Sequence, residues 1–527
     1  MKAPGGSVFE APSGVDVGGV KAGGEAPSEG LSRGTPADPS VMVIFGATGD
    51  LTRTELLPSL FELYCKRLLP DRFAVIGFAR REWTSEHFRK VARDSAEYEC
   101  AWHPEAWEDF ASRLHYVQGD VAGAPEEGYE RLSVEIARVR AEANIADNVF
   151  FHLAVPPSLF ATIAERLAQV GLTHSEAGWR RLVIEKPFGE NLGSALELDR
   201  EIQRSFHEDQ IYRIDHFLGK ETVQNMLVFR FANPAFEPIW NRNYIDHIQI
   251  TVAEEIGIGT RAGFYEKTGV VRDMMQNHLL QLLCMATIEP PVTFDGSSLR
   301  DETVKILQAM NCCPIDIERD AVPGQYGSGE VRGESVVGYR EEEGVAAGSS
   351  TPTFAAIRLG LDNWRWAGVP FYLRSGKRLA RKLTEVAIQF KPTPHVMFPR
   401  PDGPVPPNVL AFRLQPEEGI VQRFIAKQPG PDITLRDVTM NFRYAEAFGV
   451  EEPPRAYAWL LLDVMQGDQT LFARADWINE AWKVLDPIIT RWDERAPEDF
   501  PNYASGSWGP AAAEALIRDD GRSWRNV

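Results

Sequence analysis

The stretch VMVIFGATGDLTRTELLPSLFELYCKRLL, Val41 to Leu69, decides how the first half of this 527-residue chain folds. Val41 to Phe45 is an apolar run of strand length, and it stops at a turn carrying Gly46 and Gly49. Leu56, Leu57, Leu60, Phe61 and Tyr64 then recur at the helical period, giving one apolar face. A strand, a glycine turn and a helix in that order open a doubly wound α/β domain. The helix N-terminus offers unpaired N–H groups and a partial positive charge, and the glycines let a pyrophosphate approach them. The turn reads G-A-T-G-D-L, short of the full G-x-G-x-x-G, so a plain strand-to-helix turn competes with a dinucleotide loop.

Its surroundings favour the loop. FAVIGFARR, Phe73 to Arg81, reads as a second strand ending in Arg80 and Arg81. In dinucleotide folds that strand end faces the adenosine ribose, where arginine suits the 2′-phosphate of NADP and an acid would suit NAD. NVFFHLAVPPSLF (Asn148 to Phe160) and RLVIEKPFG (Arg181 to Gly189) read as later buried strands. Ligands gather at the carboxyl ends of parallel strands, which puts Pro156, Pro157 and Lys186 beside the cofactor. A surface pair of Glu185 with Lys186 is the plainer alternative.

Further along, RIDHFLGKETVQN (Arg213 to Asn225) crowds Arg213, Asp215, His216 and Lys220 together. Such a cluster is costly unless solvent or a ligand compensates it. A phosphate dianion would accept hydrogen bonds from His216 and Lys220 but would repel Asp215. GVVRDMMQNHLLQLLCMA (Gly269 to Ala286) reads as a largely buried helix in which Asp273 and His278 sit among apolar residues. A neutral imidazole held by a carboxylate is a general base, and Asp215 with His278 would form such a dyad. GVPFYLRSGKRLARKL (Gly368 to Leu383) gathers Arg374, Lys377, Arg378, Arg381 and Lys382 after an apparent strand, as an anion site or a solvated basic loop. The glycine-rich, charged segment Glu318 to Phe354 reads as a long surface connection.

Composition bounds what the chain binds. A formal charge of −19 argues against nucleic acid as a partner, so any anion site must be a local basic pocket. The five cysteines have neither metal-ligand nor CxxC spacing and read as reduced thiols. No apolar run is long enough to span a membrane. Residues 1–38, rich in Gly, Ser, Pro and Ala, read as a disordered tail without a signal peptide, and a cytoplasmic location follows.

With GATGDL, EKPFG, RIDHFLGKE, RDMMQNHLLQ, NWRWAGVPFYLRSGKRL and GSWGP in this order, the chain resembles the glucose-6-phosphate dehydrogenase family from about Val41 to Pro510. The resemblance implies an α/β plus α+β architecture. A Rossmann-like NADP-binding domain would span residues 39–212, and a larger domain on a mostly antiparallel sheet residues 213–527. It implies oxidation of D-glucose 6-phosphate at C1 to the lactone with hydride passing to NADP⁺, without a metal, in a homodimer or homotetramer. By resemblance His278 is the base and Asp215 orients it. His216 and Lys220 hold the phosphate, and Lys186, Glu254, Asp273, Lys377, Lys382 and Gln415 contact the sugar. Gly46, Thr48, Gly49, Asp50, Leu51, Arg53, Arg80 and Lys186 lie on the cofactor side.

Some positions depart from the family pattern. Phe217 stands where many members carry tyrosine, removing a hydroxyl worth roughly 0.5–1.5 kcal/mol as one hydrogen bond. Thr54 and Glu55 interrupt a basic run near the 2′-phosphate. Arg374 and Arg413 match a second, structural NADP site of some animal members, but Leu383 and Ala387 replace its basic positions. Two competitors are a glucose–fructose-type oxidoreductase acting on unphosphorylated sugar and a non-catalytic NADP- or sugar-phosphate-binding relative. The first would not need DHFLGK, and the second would have lost the base.

Overall fold

The computed structural model describes residues 37–124, 128–398, 405–449, 455–495 and 497–526, so all but the end of the expected N-terminal tail lies outside the described residues. The first sheet holds β1 (Ser40–Phe45), β2 (Phe73–Ala79), β3 (Leu114–Gln118), β4 (Val149–Leu153), β5 (Arg180–Ile184) and β6 (Ile211–Arg213). They run in the order β3-β2-β1-β4-β5-β6, every pair parallel. Helices cover both faces of such a sheet, which is why β1, β2 and β4 are buried at every position. The order reverses between β1 and β4, and a doubly wound sheet opens its ligand crevice at that point.

Gly46 sits there. Its N–H donates to Phe78 O at 3.0 Å. Its φ of +83° and a Cβ that would fall 2.1 Å from Ala154 O leave room only for glycine. The helix beyond opens with a wide turn, Thr52–Leu56, and continues as Leu57–Cys65. It buries Leu56, Leu57, Leu60 and Phe61 as its spacing predicts.

The second sheet is mostly antiparallel. Its eight strands are drawn from β7 (Ile245–Ala253), β8 (Ala321–Gly324), β12 (Phe354–Leu359), β13 (Phe371–Gly376), β14 (Leu383–Phe390), β15 (Val409–Gln415), β16 (Gly419–Lys427) and β17 (Leu435–Arg443). Their order is β17-β16-β15-β14-β7-β13-β12-β8, with only β7 and β13 parallel. Four short strands, β9 (Tyr326–Gly327), β10 (Gly329–Val331), β11 (Glu334–Val336) and β18 (Tyr503–Ala504), form two small ribbons. One apolar core runs from Ile44 in β1 through Met275 and Trp482 to Leu410 in β15, so the two sheets share an interior.

Two expectations need correction. The segment 318–354 is no mere surface connection. It supplies β8 to the main sheet and buries Tyr326 and Tyr339 completely, their hydroxyls donating to Glu342 and Glu266 at 2.7 and 2.5 Å. Isolated tyrosines among glycines carry no periodicity, yet each satisfies its polar end on a carboxylate and buries its ring. Arg374 does not belong to the basic loop either. It lies inside β13, fully buried between Trp508 and Trp524, with Nε on Thr251 Oγ1 at 3.1 Å. One of its terminal nitrogens donates to Arg525 O at 3.1 Å and Asn526 Oδ1 at 2.8 Å. Arg413, the other arginine matching the structural NADP site, faces Glu385 at 3.4 Å. Among the described residues no helix is long and apolar enough to cross a membrane.

Replacing Gly46 by alanine forces a side chain into the Ala154 carbonyl at a backbone angle that disfavours it. The variant should lose about 1–3 kcal/mol of stability, read as a lower urea midpoint.

Candidate active site

Arg213, at the end of β6, is spent on structure. Its guanidinium donates to Glu208 at 2.5 Å and Asp199 at 2.6 Å. The chain then leaves the first sheet, and two residues later Asp215 is buried. His278 arrives from the second half of the chain. A helix, Ala262–Val270, breaks at Gly269, whose φ is +56° and ψ −179°. It re-enters as a wide i→i+5 helix over Val271–Leu279 and continues as Leu280–Thr287. Such wide turns shift side chains off the α-helical register and recur at functional sites.

The two meet. Asp215 Oδ1 lies 2.5 Å from His278 Nδ1, with the residues 2 % and 1 % exposed. The Phe217 N–H also donates to Oδ1, at 3.0 Å, while Oδ2 has no hydrogen-bond partner among the described residues. Nδ1 therefore carries the proton and Nε2 is left as the basic nitrogen. Burial pushes His278 well below the ordinary histidine range, and the charges of Lys186 and Lys220 push the same way. Burial raises the Asp215 carboxyl, opposed by His216, the Phe217 N–H, Lys186 and Lys220.

His216 approaches His278 edge-on, with ring centroids 4.6 Å apart, and lies parallel to Tyr457 at 6.3 Å. Asp215, His216 and His278 offer ligand atoms within 4.8 Å of one another. The 2.5 Å contact, however, is a hydrogen bond, shorter than the ~3 Å between ligands sharing an ion at ~2 Å.

Three other residues expected to contact the sugar, Asp273, Lys377 and Glu254, form a second cluster with Lys186. Lys186 Nζ donates to Asp273 O at 2.8 Å and to Asp273 Oδ1 at 3.2 Å. Lys377 Nζ donates to Glu254 Oε2 at 2.6 Å and stands 5.2 Å from the Tyr265 ring centroid. Burial works against an ionised Asp273, yet Lys186, Lys377 and Arg261 outweigh it and hold the carboxyl at about 2. Lys186 and Lys377 are thus neutralised within the protein. Among the described residues Lys220 and Lys382 have no carboxylate at ion-pair distance. Burial lowers the Lys220 ammonium, Glu418 opposes this, and Lys382 adds to the lowering.

A cleft of about 740 Å³ joins the two halves, bordered by Leu51, Lys186, His216, Lys220, Gln415 and Tyr457. Leu51 belongs to the glycine turn and Gln415 ends β15. Around the turn, Gly49 N–H donates to Gly46 O at 2.9 Å, and Thr48, Asp50 and Arg53 follow it to the surface. Arg53 and Arg80 are exposed, and neither guanidinium has a partner among the described residues. Arg80 stands just past β2, the strand that receives the Gly46 N–H. The turn, its helix start and two free arginines fit a dinucleotide with an extra phosphate.

Sequence reasoning missed Tyr457, Tyr265 and Arg261. Tyr457 opens the apolar helix Ala456–Gln466 and donates to Glu185 Oε2 at 3.1 Å. Tyr265 is buried, and its hydroxyl has no partner among the described residues. A polar aromatic in an apolar run is the only signal either carried.

Two family models match the chain. "Glucose-6-phosphate dehydrogenase, NAD binding domain" covers residues 43–225 and "Glucose-6-phosphate dehydrogenase, C-terminal domain" covers residues 227–525. The glucose-6-phosphate 1-dehydrogenase of Aggregatibacter actinomycetemcomitans is 46 % identical, over 93 % of this chain and 98 % of its own length. That of Chlamydia pneumoniae is 44 % identical over 94 % and 98 %. Among solved structures, a glucose-6-phosphate dehydrogenase in complex with its substrate glucose-6-phosphate aligns with a TM-score of 0.85 at 35 % identity, over 93 % of this chain and all of the other. The Mycobacterium avium glucose-6-phosphate 1-dehydrogenase aligns with a TM-score of 0.79 at 36 % identity, over 94 % and 99 %. The chain, matched by both family models and by these relatives over nearly its whole length, belongs to the glucose-6-phosphate dehydrogenase family.

Proposed function

We propose that this protein oxidises D-glucose 6-phosphate at C1 to 6-phospho-D-glucono-1,5-lactone, with hydride transfer to NADP⁺. The observation that carries this reading is the buried Asp215–His278 pair beside a cleft that also meets Lys220, His216 and the glycine turn. His278 Nε2 takes the C1 hydroxyl proton as the C1–H electrons leave and the C1–O bond becomes a carbonyl. Asp215, hydrogen-bonded to Nδ1–H, offsets the charge the ring acquires. His216 and Lys220 hold the 6-phosphate. Lys186, Asp273, Lys377, Glu254, Lys382 and Gln415 position the ring hydroxyls.

Gly46, Thr48, Gly49, Asp50, Leu51 and Arg53 would hold the NADP pyrophosphate and ribose, with Arg80 at the 2′-phosphate and Lys186 beside the nicotinamide. When bound, the nicotinamide accepts the hydride. An enzyme for unphosphorylated sugars would have no use for a charged Lys220 at the cleft wall.

The protein works in the cytoplasm as a homodimer or homotetramer. Five free thiols suit a reducing compartment. Exposed Met440 on β17, with Ile433 and Phe448 flanking that strand, suits a second copy at the edge of the large sheet.

His278→Asn should lower kcat for glucose 6-phosphate roughly 100- to 10,000-fold while binding of the sugar phosphate survives. Wild type should reduce NADP⁺ with glucose 6-phosphate and far more slowly with glucose, and equal rates would refute the phosphate assignment. Because the base acts when neutral and burial depresses it, kcat/KM should hold as pH falls from 8 and decline only below the ordinary histidine value of about 6.5. Replacing Arg53 and Arg80 together by alanine should cut kcat/KM for NADP⁺ by about 10- to 100-fold and leave that for NAD⁺ little changed.

A further inference from the structure

Phe217, two residues past Asp215, is 5 % exposed. Its ring lies against the His278 imidazole with centroids 4.1 Å apart and planes inclined by 21°, a face-to-face stack. Its own N–H donates to the carboxylate oxygen that holds His278 Nδ1. One residue therefore fixes the general base twice, through the backbone of its orienting carboxylate and through an aromatic face beneath its ring. Lys220 Nζ stands 5.3 Å from the same phenyl centroid.

An aromatic face is the negative part of the ring quadrupole, and a cation within about 6 Å of the centroid is attracted to it. Neutral imidazole gains little from this, and imidazolium gains more. The charged groups around His278 otherwise act in both directions. Lys186 and Lys220 oppose a positive imidazole, Asp273 favours it, Asp215 favours it through its hydrogen bond to Nδ1, and His216 contributes a ring edge.

We propose that Phe217 is a positioning residue of this reaction, its ring face stabilising the imidazolium that forms as His278 takes the C1 proton. The proposal rests on His278 being the base. It assigns a role to the phenyl ring itself, so the missing tyrosine hydroxyl is secondary: tyrosine presents the same face. The proton passes from the C1 hydroxyl to Nε2, the hydride leaves C1 for NADP⁺, and Phe217 exchanges no atoms.

The test varies the quadrupole at nearly constant size. Phenylalanine, 4-fluoro-, 3,5-difluoro- and 3,4,5-trifluorophenylalanine are placed at position 217 in the full chain. kcat for glucose 6-phosphate is measured with NADP⁺, and sugar-phosphate affinity is measured separately by calorimetry. kcat should fall stepwise, to about a tenth by the trifluoro ring, with the dissociation constant moving by less than about threefold. Phe217→Tyr should keep kcat, and Phe217→Leu should lose at least as much as the trifluoro ring. A flat kcat across the series, or a loss confined to affinity, would overturn the proposal. A wild-type protein that binds the sugar phosphate but does not reduce NADP⁺ would overturn the reaction itself, and with it this role.

Discussion

The hydrogen bond between Asp215 and His278 is the constraint around which the molecule is arranged. Its partners are 63 residues apart, one just off the last strand of the parallel sheet and one in a helix of the second half. An ionised carboxylate at 2 % exposure is expensive unless it is hydrogen-bonded and faces positive charge. Asp215 has both, from His278, the Phe217 N–H and the nearby lysines. Removing Asp215 would leave the buried His278 Nδ1–H without the carboxylate that accepts it, and removing His278 would leave Asp215 with only the Phe217 N–H as a hydrogen-bond donor among the described residues. Holding them together requires the two halves to share a core, and the continuous apolar cluster from β1 to β15 provides it.

Charge balance in the cleft follows from the same constraint. Two lysines beside the dyad are neutralised internally, Lys186 by Asp273 and Lys377 by Glu254. Those pairs form fixed hydrogen-bonding walls suited to neutral hydroxyls. Lys220, at the cleft wall with no carboxylate at ion-pair distance among the described residues, is left for the phosphate in the proposed reaction. A protein with a net charge of −19 can therefore meet a phosphorylated sugar, because the attraction comes from local positive charge on the cleft wall, Lys220 included.

Much of this was legible in the sequence, for identifiable reasons. The alternation of buried strand, glycine turn and apolar helix is local, so the parallel sheet could be read from Val41 onward. The residues of the dyad and the lysines were nameable because ionisable groups in apolar or crowded runs demand compensation. Pairings across the fold were not legible. That Lys377 is bound to Glu254, and that Tyr457 and Tyr265 border the site, depend on contacts between distant segments. The wide turn that carries His278 was hidden as well, since its sequence has the same apolar spacing as an ordinary helix. Segment 318–354 was misread because scattered glycines and charges mask the tyrosines that anchor it.

Arg374 has a consequence for the order in which the molecule can be made. It is sealed inside β13, yet the carbonyl and amide that receive its guanidinium belong to residues 151 and 152 positions further along. Until the ribosome has added that later segment, the second sheet has a cationic side chain in its interior without those partners. The parallel sheet draws its strands from residues 40–213 and carries a lighter debt, since Arg181 on β5, which donates to the Val464 and Met465 carbonyls at 2.6 and 2.8 Å, is only half-buried. Synthesis therefore separates the two halves in time: the nucleotide-side sheet can consolidate early, while the large sheet stays open-ended and in need of protection from other nascent chains.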